Sequence, residues 1–207
     1  MRSNVMADSS PKTQYSLIGR LHDPKDLLAW ENFVGIYTPV IERVAAKRGM
    51  QAADIDNLVQ EVWITVANHV GEWMEREDRG DFRAWLRRIA NNQAVNLLTR
   101  RATRPWGHGG IEAEHELARV VSREGIESHF EIEYRRTLFV LAAQKVREET
   151  AEHNWLAFWL SCVEGLSVEQ VSRKLNLRAA NIYFARSRVM ARLKKVVKQL
   201  EEQDELP

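Results

Sequence analysis

Residues 165–195 read Gly165-Leu-Ser-Val-Glu-Gln-Val-Ser-Arg-Lys-Leu-Asn-Leu-Arg-Ala-Ala-Asn-Ile-Tyr-Phe-Ala-Arg-Ser-Arg-Val-Met-Ala-Arg-Leu-Lys-Lys195. Ser167 stands three residues ahead of Gln170, the spacing of a capping box, in which the hydroxyl accepts from the N3 amide and the Gln side chain reaches back. Leu166 before the cap and Val171 in the first turn form a hydrophobic staple. Val168, Val171 and Leu175 recur at helical spacing, Asn176-Leu177 supplies a turn, and a second helix begins near Arg178. Its buried stripe is Ile182, Ala185, Val189, Leu193 and Val196. The stretch therefore predicts two helices joined by a tight turn, a helix-turn-helix. Asn181, Tyr183, Phe184, Ser187 and Arg188 are left facing outward near the start of the second helix, where a recognition helix touches bases. For Phe184, packing against the preceding helices is an equal alternative.

Charge supports a polyanion partner. Between Glu169 and Glu201 there are nine Lys or Arg and no acid, although the whole chain carries a formal charge of only +1. The basic residues are thus segregated. Arg186, Arg192, Lys194, Lys195 and Lys198 suit phosphates or solvent. A second positive island lies at 82–104, with six Arg and no acid, whereas 1–81 holds 9 basic against 13 acidic residues and 105–153 holds 6 against 10. Two positive islands alternating with two acidic stretches fit two modules joined by a linker.

The rest of the chain reads as helix. It has 10 Gly and 5 Pro in 207 residues, few breakers, and no alternating run of Val, Ile or Thr, so the expected fold class is all-α. Pro105 and three glycines within six residues end the first island, and an acidic stretch poor in large apolar residues comes next. The expected organisation is one helical domain at 15–101, a linker at 102–129 and a second helical domain at 130–203. No apolar run is long enough to span a bilayer and the N-terminus lacks an apolar signal core, so the expected location is cytoplasmic. The single Cys162, within Trp159-Leu-Ser-Cys-Val, is expected to be buried and inert.

Asp23-Pro24 is read as opening a helix that carries Leu27, Leu28, Trp30, Phe33 and Val34, with Pro39 as a kink or boundary. Asp54 is expected to cap the next helix, which buries Ile55, Leu58, Val59, Val62 and Val66 and shows Asp56, Asn57, Gln60, Glu61 and Asn68 on its other face. A polar loop at 75–81 precedes a helix at 82–101 whose stripe is Phe82, Trp85, Leu86, Ile89 and Leu97. Arg88, Asn92, Asn96 and Arg100 recur at four-residue steps, a row of donors and amides able to meet base edges and phosphates. The amides Asn91, Asn92 and Asn96 are poor helix formers, so propensity does not explain them. Two more amphipathic helices are read at 130–146 and 155–163, the second directing Trp155, Leu156, Trp159, Leu160 and Val163 inward.

With both islands placed, the chain resembles bacterial RNA polymerase sigma factors of the extracytoplasmic-function (ECF) group, from about Ser16 to Glu202. Asp54-Ile-Asp-Asn-Leu-Val-Gln-Glu-Val-Trp is similar to the family helix that binds the clamp coiled coil of the largest polymerase subunit. By that resemblance Asp56, Asn57, Gln60 and Glu61 make the contact, Asn57 standing where relatives often have Asp. Arg79-Gly-Asp-Phe-Arg-Ala-Trp-Leu-Arg-Arg-Ile-Ala-Asn-Asn resembles the segment that opens the downstream (−10) promoter element. There a loop and a helix Asn capture a base flipped from the non-template strand. The matching positions are Arg79, Gly80, Asp81, Phe82 and Asn92, with Asn96 one turn on and Arg88 in the same row. The 163–171 stretch resembles the fourth sigma domain, which reads the upstream (−35) element. Arg178, Asn181, Tyr183, Phe184, Ser187 and Arg188 are its DNA-facing candidates, Tyr183 replacing an Arg of many relatives. The resemblance implies no catalytic step and no cofactor or metal. The partners it implies are core polymerase, promoter DNA and, as for many relatives, an anti-sigma protein.

Two rivals come from other classes. A two-domain helix-turn-helix regulator outside the polymerase would share Gly-Leu-Ser-x-x-Gln-Val, but leaves the Gln60-Glu61 helix and the 82–104 island unexplained. A metal-dependent nuclease or phosphohydrolase would need a ligand set. The His at 22, 69, 108, 115, 129 and 153 form no i,i+4 pair, and Glu75, Glu77 and Asp78 lie in a polar loop.

Overall fold

The computed structural model of the protein describes residues 17–102 and 126–204. Eight α-helices account for most of these residues, and no strand occurs among them, as the composition predicted. They are α1 (Leu17–Arg20), α2 (Leu27–Lys47), α3 (Ala52–Glu75), α4 (Phe82–Ala102), α5 (Ile126–Glu148), α6 (Glu152–Phe158), α7 (Val168–Leu175) and α8 (Ala179–Asp204), with a π-helical turn at Trp159–Val163 continuing α6. Of the expected linker, 103–125 lies outside the described residues and 126–129 begins α5.

Several boundaries move for local reasons. Asp23 accepts from the Lys25 amide (2.9 Å), a turn that keeps Pro24 outside the helix. Asp26 then caps α2, accepting from the Ala29 amide (3.1 Å) while Arg20 grips its two oxygens at 2.7 Å each. Leu27 and Leu28 are consequently exposed rather than buried. Pro39 does not interrupt α2. Ile36, Tyr37, Val40 and Ile41 are buried on both sides of it, and their packing offsets the roughly 3 kcal/mol a mid-helix proline costs. α3 starts one turn earlier than expected, with Gln51 at the cap and Asp54 inside the first turn, where its charge still meets the positive helix end.

The core falls into three apolar clusters. The first gathers α1–α4 around Phe33, Tyr37, Val62, Val66, Trp73, Phe82 and Leu86. The N-terminal half of α5 enters this cluster through Phe130, Tyr134 and Leu138, with Tyr134 stacked on Tyr37 (5.7 Å between centroids, 19° between planes). The C-terminal half of α5 supplies Ala142, Ala143 and Val146 to a second cluster with Trp155, Phe158, Val189, Leu193 and Val196. The third, Ala157, Leu160, Val171, Ile182 and Ala185, joins α6 to the last two helices. Polar chemistry marks the α2–α5 contact. Glu133, 1% exposed, pairs with Arg43 (2.5 Å) and Lys47 (2.6 Å), and Arg43 also donates to Thr137.

The expected burial of Cys162 is overturned: it is exposed, and so is Val163. The π-helical turn explains both. Its one extra residue rotates the succeeding side chains by about 100° from the 3.6-residue stripe. Leu160 stays buried, and the Ser161 hydroxyl turns back to the Ala157 carbonyl at 2.6 Å.

Candidate nucleic-acid interface

Asp81 starts α4 by accepting from the Ala84 amide at 2.8 Å, and the buried stripe Phe82, Leu86, Ile89, Ala94 and Leu98 fixes the helix's rotation. Arg88, Asn92, Asn96 and Arg100 are all on the opposite side, so the row read from sequence stands together on one open face. Asn91 does not join it. Half-buried, it accepts from Arg48 at 3.1 Å, while Gln93 donates to Thr65 at 2.9 Å, which ties α4 to α2 and α3. Other members of the positive island turn toward α5: Arg87 pairs with Glu127 (3.0 Å), and Arg83 lies over the Tyr134 ring (4.9 Å).

The loop between α3 and α4 is held from beneath. Phe82 is 7% exposed, inside an aromatic cluster with Phe33, Tyr37, Trp73 and Trp85. Arg79 is half-buried and donates to the Met74 carbonyl at 2.8 Å. Gly80, at φ +67°, and Asp81 form the exposed tip. The left-handed backbone there suits glycine alone among common residues at no steric cost. Eleven residues of helix separate Asp81 from Asn92, about 16 Å along the axis, farther than one base spans. The loop tip and Asn92 thus stand about three helical turns apart.

The second DNA-facing candidate is built as the sequence implied. Ser167 and Gln170 close the capping box with bonds of 3.3 and 2.8 Å, and Asn176 takes a left-handed conformation (φ 52°) that ends α7. Ile182, Ala185, Val189, Leu193 and Val196 are all buried. Arg178, Asn181, Tyr183, Phe184, Ser187 and Arg188 are all exposed, Phe184 at 64%, which settles its two alternatives in favour of the outward one. The guanidinium of Arg186 sits 5.9 Å from the Tyr183 ring centre. Asn181, Phe184 and Arg188 line a groove of about 330 Å³ whose other wall is His153 and Asn154 of α6. That wall was not legible locally, because it lies a helix and a turn upstream of the motif.

On α3, Asp56, Asn57 and Gln60 are exposed and Glu61 is half-buried. Ile64, one turn beyond Gln60, is 57% exposed on the same face. It was missed because an isoleucine next to a buried stripe reads as core. Its phase, two residues after Val62, was the available signal.

The acidic loop does not assemble a metal set. Glu75, Glu77 and Asp78 are exposed, Asp78 is paired with Arg76 at 3.0 Å, and no group of three or more His, Cys, Asp or Glu among the described residues could hold a metal ion. No helix among those residues is long and apolar enough to cross a membrane.

A comparison with curated proteins finds no match. Residues 33–104, which run from the first turns of α2 through α4, match the family described as sigma-70 region 2. Members of the sigma-70 family bind core RNA polymerase and promoter DNA in transcription initiation, without catalysing the chemistry themselves. The exposed donor row on α4 thus lies within the segment that matches sigma-70 region 2.

Proposed function

We propose that this protein is a sigma factor of the ECF group that works in the cytoplasm with core RNA polymerase. Residues 15–101 form its polymerase-binding and downstream-element domain, 102–129 its linker and 130–203 its upstream-element domain. One observation supports the reading: a segment that matches sigma-70 region 2 and a helix-turn-helix occur in the same chain, each with an exposed row of polar side chains suited to base edges. Neither half alone selects a promoter; two readers at a set separation do.

The roles divide by surface. Asp56, Asn57, Gln60 and Glu61, joined by Ile64, contact the clamp coiled coil of the largest subunit. Arg88, Asn92 and Asn96 engage the opened non-template strand, and the loop Arg79–Gly80–Asp81–Phe82 receives one base unstacked from it. Flipping costs a few kcal/mol, recovered by hydrogen bonds and stacking in a shaped site. Arg178, Asn181, Tyr183, Phe184, Ser187 and Arg188 read the upstream element in the major groove. An anti-sigma protein that covers the polymerase-binding face is the expected regulator.

Run-off transcription with core polymerase and fragmented genomic DNA tests the proposal. Discrete, protein-dependent start sites with shared sequences upstream support it, and the transcripts return the promoter. Polymerase-independent binding to duplex DNA with no initiation would instead favour the rival two-domain regulator.

A further inference from the structure

The 76–81 loop is exposed at five of its six residues, yet it is not left to find its own shape. Trp73, 4% exposed near the end of α3, donates its indole N–H to the Arg79 carbonyl at 3.0 Å. Arg79 returns its guanidinium to the Met74 carbonyl at 2.8 Å and lies 5.8 Å from the Trp73 ring centre. The Trp73 ring is itself fixed, stacked on Trp85 (5.3 Å, 24°) and edge-on to Phe82 (5.2 Å, 75°), both from α4. The two bonds form a reciprocal clamp across the base of the loop. It holds the Arg79 carbonyl inward, so Gly80 must turn outward at φ +67° before Asp81 caps α4.

We propose that Trp73 and Arg79 are positioning residues that pre-shape this loop to receive an unstacked non-template base, neither of them reading the DNA directly. The inference rests on the proposed role of the loop in base capture and assigns it the residues that act through it. A free loop of six residues would lose conformational entropy each time a base entered; a clamped one has already lost it. The clamp also gives Arg79 a role unlike that of the exposed cations on α4. Its guanidinium is occupied by a main-chain acceptor and an aromatic face, so it shapes the loop rather than neutralising a phosphate.

The experiment uses the full chain bound to core polymerase and single-stranded DNA decamers randomised at six positions, sequenced before and after selection. Wild type should select strongly for one base at one position. Trp73→Phe removes the N–H together with the pyrrole half of the indole; it should reduce that preference about five- to tenfold while core binding, which reports an intact α3, is retained. Arg79→Met should give the same loss of preference with the slope of log affinity against log salt unchanged. A phosphate contact would show the reverse, a slope lower by about one and the preference intact. Either that reversal or undiminished preference in Trp73→Phe overturns the inference. If wild type itself shows no base preference at any position, the base-capture role of the loop falls, and the inference with it.

Discussion

The ammonium of Lys47 stands 2.6 Å from Glu133 Oε1, joining α2 to α5 across a contact in which the carboxylate is 1% exposed and the lysine 46%. Arg43 holds the other oxygen, with Arg136 at 3.8 Å from it, so one buried acid faces three cations that keep contact with water. Lys47 is the main cause of a Glu133 pKa below the ordinary carboxylate value; desolvation opposes it and Arg43 adds to the lowering. Because the folded pKa is depressed, the stabilisation is present above the unfolded value and is lost as pH falls through the folded one. The α2–α5 contact should therefore hold from neutrality to about pH 5 and loosen below about pH 4.3. Glu133→Gln should remove most of that acid sensitivity. Glu133→Ala, which leaves three partly hydrated cations without their acid, should cost about 1–3 kcal/mol. Chemical denaturation across pH 3–7 checks both variants; an acid transition unchanged in Glu133→Gln would mean that another carboxylate governs it.

Ile64 offers a test of the α3 face. It is 57% exposed and has no core role in the fold, so Ile64→Asp should leave stability within about 0.5 kcal/mol. If the face meets the polymerase clamp, the same substitution should weaken core binding by about 1–3 kcal/mol, the range for losing an apolar anchor at an interface. Equilibrium unfolding and titration of labelled protein with core polymerase separate the two effects. Full core affinity in the variant would remove Ile64 from the contact.

Asn92 and Asn91 are neighbours in sequence with different fates. Asn92 stands on the open α4 row, whereas Asn91 accepts from Arg48 inside the α2–α4 contact. Asn92→Ala should impair promoter opening, read by fluorescence of a base analogue in the −10 region, with core binding and stability retained. Asn91→Ala should lower stability by about 1 kcal/mol and affect opening only to the extent that α4 loosens. Equal defects in both variants would point to a helix fault rather than a contact with DNA.

These neighbours also show what was legible in the sequence. Period and capping chemistry located the buried stripe of α8 and the cap of α7, because a local pattern fixes which face of a helix meets the core. On α4 the expected Phe82, Leu86 and Ile89 are buried, but Trp85 and Leu97 are half-buried and Ala94 and Leu98 take core positions instead. The exposed rows then emerged by subtraction. What failed was information carried from elsewhere in the chain. The partner of Asn91 is 43 residues away, and that of Glu133 is 90 residues away. The π-helical turn broke the period at Cys162, and α3 began a turn early because Gln51 could serve as cap with no side-chain bond. Local rules found the faces; only the packed structure showed which polar residues on them were already engaged.

Arg188 is the residue on which upstream specificity should turn. It is exposed beside Asn181 and Phe184 in the groove walled by His153 and Asn154, two turns into α8 and on the side away from the buried Ile182 and Val189. A guanidinium there can present two parallel donors to one guanine, whereas Lys198, further along α8 and 3.4 Å from Glu202, offers a phosphate only a point charge. Arg188→Ala should therefore weaken binding to the preferred upstream sequence by about 1–3 kcal/mol and flatten the preference at one base pair. Lys198→Ala should weaken all sequences alike and lower the salt slope by about one. Competition binding with single-base variants of the upstream element, repeated at two salt concentrations, distinguishes them. An Arg188→Ala profile that keeps its base preference while losing salt dependence would reassign the residue to the phosphate backbone and move specificity to Asn181, Tyr183 and Ser187.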